Sequence, residues 1–168
     1  MRTYLLALLS LAALTFVSFR PGDDLVVTST AFKNNTMIPS KYSCEGKEVS
    51  PPLHIANIPS AAKCLALIVH DPDAPMKGGF THWVMWNLDV KGEIPEGFKN
   101  KPQGLNSMKQ KGYKGMCPPS GTHHYHFIVY ALNELLELDP TTTDKAALEK
   151  AMDGHILAQG ELVGLYKK

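Results

Sequence analysis

This sequence carries almost no net charge. Its 17 Lys and Arg offset 16 Asp and Glu, leaving a formal +1 over 168 residues. A nucleic-acid binder shows a basic excess, so the composition argues against that class. The one local exception is the cluster Lys109, Lys111 and Lys114, which reads either as a solvated loop or as an attractor of anions. No internal repeat, low-complexity tract or long linker follows residue 25, which leaves a single domain of ordinary size over 25–168. A Gly-x-Ser-x-Gly elbow is missing, and with it the signature of a serine hydrolase. Cysteine is scarce as well. Three residues allow one bridge and one spare thiol. Cys64 opens the apolar run Cys64 to Val69 and reads as a small core residue, whereas Cys44 and Cys117 sit in loop-like stretches. We expect these two to pair, at a gain of about 4 kcal/mol from loop closure.

Long apolar runs are also few, and the longest is N-terminal. Arg2 precedes a stretch from Leu5 to Phe19 interrupted only by Ser and Thr, and Arg20-Pro21-Gly22-Asp23-Asp24 ends it. Charge, length and flank predict a signal peptide over 1–20, and hence a periplasmic or secreted protein. No small-x-small cleavage site is evident, which keeps an uncleaved anchor as the alternative, and no Cys follows to suggest a lipoprotein.

What is present is mainly strand pattern. Leu25 to Phe32 is β-branched and partly alternating; Cys64 to Val69, His82 to Leu88 and Tyr125 to Leu132 are apolar enough for buried strands. Glu161 to Tyr166 reads as a last strand, and Lys91 to Ser120 as a long irregular connection. One helix is expected near the C-terminus, capped by Thr143, with Asp144 in its first turn, an apolar face of Ala147, Leu148, Ala151 and Met152, and Gly154 as its stop. Ile156-Leu157-Ala158 then reads as an added turn. The count favours a mainly-β sandwich with a C-terminal helix.

Polar groups collect at the strand ends. Asp71-Pro-Asp73-Ala-Pro75 follows one buried strand, His82-Trp83 opens the next, and Gly121-Thr-His123-His124-Tyr125 opens a third. Strand alternation puts His123 and Tyr125 on one face, His124 and His126 on the other. Two readings follow: a donor-rich anion pocket of His123 and Tyr125 with Asp71, Asp73 and His82, or a metal pair of His124 and His126 that lacks further ligands. A hydrolytic alternative would use Asp71 or Asp73 to orient His82 or His123 as base, with Ser120 or an unpaired Cys117 as nucleophile. His70 reads as a strand-end histidine.

Taken together, Ser50-Pro-Pro-Leu53, Asp71 to Pro75, His82-Trp83, Cys117-Pro-Pro119 and Gly-x-His-x-Tyr at 121–125 resemble the phosphatidylethanolamine-binding protein family in its bacterial, Raf-kinase-inhibitor-like branch, over Leu25 to Tyr166. The resemblance implies a Greek-key β-sandwich of two sheets with a small pocket for phosphate, phosphorylethanolamine headgroups or similar anions. Carried over by position, the ligand-binding residues would be Asp71, Asp73, His82, Gly115, Pro118, His123 and Tyr125, with a cis peptide before Pro75. His124 stands where the family usually carries Arg, on the face away from the pocket.

These readings make the chain an exported, non-enzymatic binding protein, with no cofactor or metal, for a small anion or phospholipid headgroup, with peripheral membrane contact as an option. The alternatives are an interaction module or enzyme inhibitor docking a phosphorylated or acidic segment of a protein partner, and a hydrolase. Were His82 and His123 to bind the anion as cations, affinity would weaken above the ordinary imidazole value of about 6.5.

Overall fold

The architecture is organised round one strand that is buried on both faces. A computed structural model describes residues 24–168; the expected signal peptide at 1–20 lies outside the described residues. In chain order the elements are β1 (Val26–Thr28), β2 (Thr36–Met37), a 3-10 turn (Ser40–Tyr42), β3 (Leu53–Ala56), β4 (Cys64–Asp71), β5 (Phe80–Leu88), β6 (Glu93–Ile94), β7 (Thr122–Leu132), α1 (Lys145–Met152) and β8 (Ile156–Lys167). They form a three-stranded sheet, β1-β3-β6, and a five-stranded sheet, β2-β8-β7-β4-β5. All pairings are antiparallel except β2 with β8.

Alternation along β4 feeds two cores. Leu65, Leu67 and Val69 face the other sheet and pack with Trp83, Met85, Phe127, Val129, Leu53 and Ile55. Cys64, Ala66 and Ile68 face the opposite way, against Trp86, Leu132 and the α1 residues Leu148 and Met152. A strand clad on both sides needs a continuous apolar sequence, which is what Cys64 to Val69 supplies. The chain leaves β5, crosses to the other sheet as β6 and returns as β7 beside β4, the Greek-key step that makes β4 the neighbour of both β5 and β7.

The expected long connection before β7 is irregular but held in place. Gly104 donates to Val84 O, Ser107 to Thr81 O and Lys114 to His82 O, so the segment runs along the outer edge of β5 and covers it. Cys44 and Cys117 form the expected disulfide, with Cα atoms 5.6 Å apart, and Cys64 is a buried free thiol.

Three expectations are corrected. Asp144, not Thr143, caps α1: its side chain accepts from Ala147 N, while Thr143 Oγ1 donates back to Asp139 O. Ile156 to Ala158 is the start of β8 rather than a turn, because Leu132 and Ala131 of β7 are there to pair with it. The Ala74–Pro75 peptide is trans, there being no cis bond among the described residues. Trans is the lower-energy form of an X–Pro bond by about 0.5–1 kcal/mol, and the chain here turns through Asp71 instead, whose Oδ1 accepts from Asp73 N at 2.9 Å.

Candidate functional site

The corner where β4 ends, β5 begins and β7 begins gathers the polar residues singled out above. Asp71 is the last residue of β4 and is 3% exposed. A carboxyl group so buried needs partners. It has them: Oδ2 accepts from His123 Nδ1 at 2.7 Å, and Oδ1 takes the Asp73 amide. Both contacts fix Asp71 towards a cavity of about 400 Å3.

His82, 4% exposed, is locked by two opposed bonds to one residue. Its Nδ1 donates to Lys114 O at 2.7 Å, and its own carbonyl accepts from Lys114 N at 2.9 Å. A carbonyl can only accept, so Nδ1 carries the proton and Nε2 is left as a lone-pair acceptor in the neutral ring. Burial pushes His82 down to about 4, so the ring is neutral near pH 7. Anion binding by a cationic His82, posed above as a condition, is therefore not favoured near neutral pH, because desolvation outweighs both the Lys114 bond and the Asp71 charge.

Tyr125 packs edge-on against His82, with ring centroids 5.2 Å apart, and lies beside His123. It is fully buried, yet its hydroxyl has no hydrogen-bond partner among the described residues. Burial, reinforced by the Asp71 and Asp73 charges, raises its pKa well above the usual phenol value, so it stays a donor. Across β8, the register partner of Tyr125 is Gly164, where a Cβ would lie 2.5 Å from Ile38. Only glycine lets Ile38 and Phe32 close in at that point.

The remaining expected residues divide. Gly115 and Pro118 line the cavity. The Gly115 amide, however, donates to Glu48 Oε1 at 3.1 Å, and a Cβ on it would lie 2.8 Å from the Ser43 carbonyl carbon. Its role here is close packing of the loop. His123 stands behind Asp71 rather than in the lining, and Asp73 turns outward, accepting from both the backbone and Nδ1 of His124. Those bonds hold Asp73 below the usual carboxylate range. His126 pairs with Glu161 on that same outer face, and no group of three His, Cys, Asp or Glu side chains poised for a metal occurs among the described residues.

Sequence reasoning missed part of the cavity. Phe80, Met76 and Met108 line it, as does Lys114, whose ammonium pairs with Glu48 at 2.6 Å. Phe80 was findable, since alternation along β5 puts it on the face of His82. Met76 and Met108 lie in turns and carry no periodic signal. The polar groups thus sit at one end of a largely apolar recess.

Comparison with known proteins agrees with this geometry. The family model for phosphatidylethanolamine-binding protein matches residues 28–167. The chain belongs to the phosphatidylethanolamine-binding protein family. Within it, a UPF0098 protein of Pyrococcus abyssi is 50% identical over 158 residues, covering 88% of each chain. A UPF0098 protein of Chlamydia trachomatis is 44% identical over 148 residues, 84% of this chain and 98% of that one. Among solved structures, a phosphatidylethanolamine-binding protein homologue from Chlamydia trachomatis superposes with a TM-score of 0.82 at 42% identity, covering 88% of this chain and 99% of that one. Escherichia coli YbcL, described as a member of the mammalian family, gives 0.81 at 27% identity, covering 86% and 99%.

Proposed function

We propose that this family member is an exported binding protein that holds a small phosphate-bearing anion or phospholipid headgroup in the Asp71–His82–Tyr125 cavity, without turning it over. The observation that carries the reading is the Tyr125 hydroxyl, a buried donor with no partner among the described residues, in a cavity of ligand size. A singly protonated phosphate complements the pair of groups on offer: an oxygen accepts from Tyr125, and the P–OH donates to His82 Nε2. An ethanolamine ammonium would meet the Asp71 carboxyl. The apolar rim of Phe80, Met76 and Met108 suits the carbon frame of such a ligand.

Hydrolysis is the poorer reading because its nucleophile is spent or misplaced. The Cys117 sulfur is in the disulfide, and Ser120 does not line the cavity. The interaction-module reading draws on Met76 and Met108, both about half exposed beside the cavity mouth, as a surface for a partner's segment.

Titration of the purified protein with phosphorylethanolamine, followed by NMR, tests the proposal. Saturable shifts of His82 and Tyr125 at millimolar ligand are expected, weakening as pH rises past the second phosphate pKa of about 6. Unmoved resonances there would sink it, whereas turnover of the ligand would restore the hydrolase.

A further inference from the structure

A second recess, of about 660 Å3, meets the first at the Lys114–Glu48 ion pair: Lys114 lines the smaller cavity and Glu48 the larger. Four lysines line it, Lys47, Lys99, Lys101 and Lys111. Lys101 is neutralised by Asp89 at 2.8 Å. Lys47, Lys99 and Lys111 make no salt bridge among the described residues. Glu48 is the one carboxylate in the lining, and it is already taken by the Lys114 ammonium and the Gly115 amide. Three lysines without a salt bridge among the described residues thus border one hollow, with Glu96 near enough to Lys47 and Asp139 near enough to Lys111 to feel their charge. All three are exposed, so water and salt screen their mutual repulsion, and what they offer is a local positive field that an anion can use.

Neutral groups in the recess point the same way. Ser50 is 2% exposed, and its hydroxyl is the other buried side-chain polar atom without a partner among the described residues. Gln103 commits Oε1 to Trp83 Nε1 at 2.7 Å, so what remains to it is the amide, a donor. Phe98 adds an apolar wall.

We propose that this recess is a second binding site, distinct from the Tyr125 cavity, for a small organic molecule bearing two phosphate groups. Two phosphate monoesters carry about −3 to −4 near pH 7 and can engage several of these lysines at once, which a single phosphate of about −1.5 to −2 does less well. The concave shape and ordinary ligand-pocket volume fit a small molecule, and the near-zero net charge argues against a nucleic acid strand.

Titration of the purified protein with fructose bisphosphate at low salt, read by amide NMR, tests this. Expected are saturable shifts at Ser50, Gly97 and Gly112 that follow an isotherm separate from any at His82 and Tyr125, with affinity at this recess about tenfold or more above that for orthophosphate. Replacing the exposed pair, Lys47→Gln with Lys111→Gln, should weaken binding about tenfold, while the control Lys33→Gln with Lys63→Gln leaves it unchanged. The proposal is overturned by absence of saturation at about 10 mM ligand, a regime weaker than any useful affinity. It is equally overturned by equal affinity for orthophosphate, by shifts confined to the Tyr125 cavity, or by equal losses in both double variants. Failure here leaves the Tyr125 reading untouched, because the two sets of resonances report separately.

Discussion

A hydroxyl buried without a partner costs a protein about 1–3 kcal/mol. Tyr125 carries such a group in the cavity, and removing it separates folding from binding. Tyr125→Phe is expected to leave stability unchanged or to raise it by about 1 kcal/mol, while phosphorylethanolamine affinity falls about tenfold. Denaturant unfolding beside the NMR titration reads both. A parallel loss of stability and binding would mean that the hydroxyl serves the fold. Much of this corner was legible from residue types, because Asp71, His82 and Tyr125 stand at the ends of strands whose apolar runs are unmistakable. What could not be read is how each polar atom is spent. Asp71 orienting His123 was among the alternatives the sequence offered, whereas the pairing of Asp73 with His124 and of the Gly115 amide with Glu48 depends on Asp73, Gly115 and Glu48, which lie outside the strands, where alternation no longer applies.

Among the elements, β4 and β5 were visible because their apolar runs reflect burial on both faces, and β7 because its alternate residues are buried and apolar, whereas β2 and β6 are two-residue strands with no pattern to detect. The opening of β8 was misread for a related reason. Ile156-Leu157-Ala158 follows Gly154 without alternation, and only the presence of β7 decides its conformation. At the helix, two adjacent residues competed for the cap, and the carboxylate holds it: Asp144 Oδ1 accepts from Ala147 N at 3.2 Å. Asp144→Ala should therefore destabilise the protein by about 1 kcal/mol, and Thr143→Val by a lesser amount, in thermal or chemical denaturation. The reverse order would return the cap to Thr143.

For the molecule as a whole, the neutral His82 ties stability to pH. Its folded pKa of about 4 lies below the ordinary imidazole value, so the unfolded chain takes up a proton first as pH falls. The resulting stability is complete above about pH 6.5, then declines towards pH 4 by a total of about 3 kcal/mol. His82→Gln, which keeps a polar group but cannot titrate, should flatten that decline in denaturation curves taken across this range. An unaltered slope would place the titration elsewhere.

Because β4 is clamped between β5 and β7 and clad on both faces, the corner that bears Asp71, His82 and Tyr125 has little freedom to reshape itself. Under the proposed function, a guest would meet a mould already set. The ordering penalty of association would then fall on the newcomer rather than on the host, and selectivity would follow from rigidity: a molecule of the wrong outline would be refused instead of being wrapped.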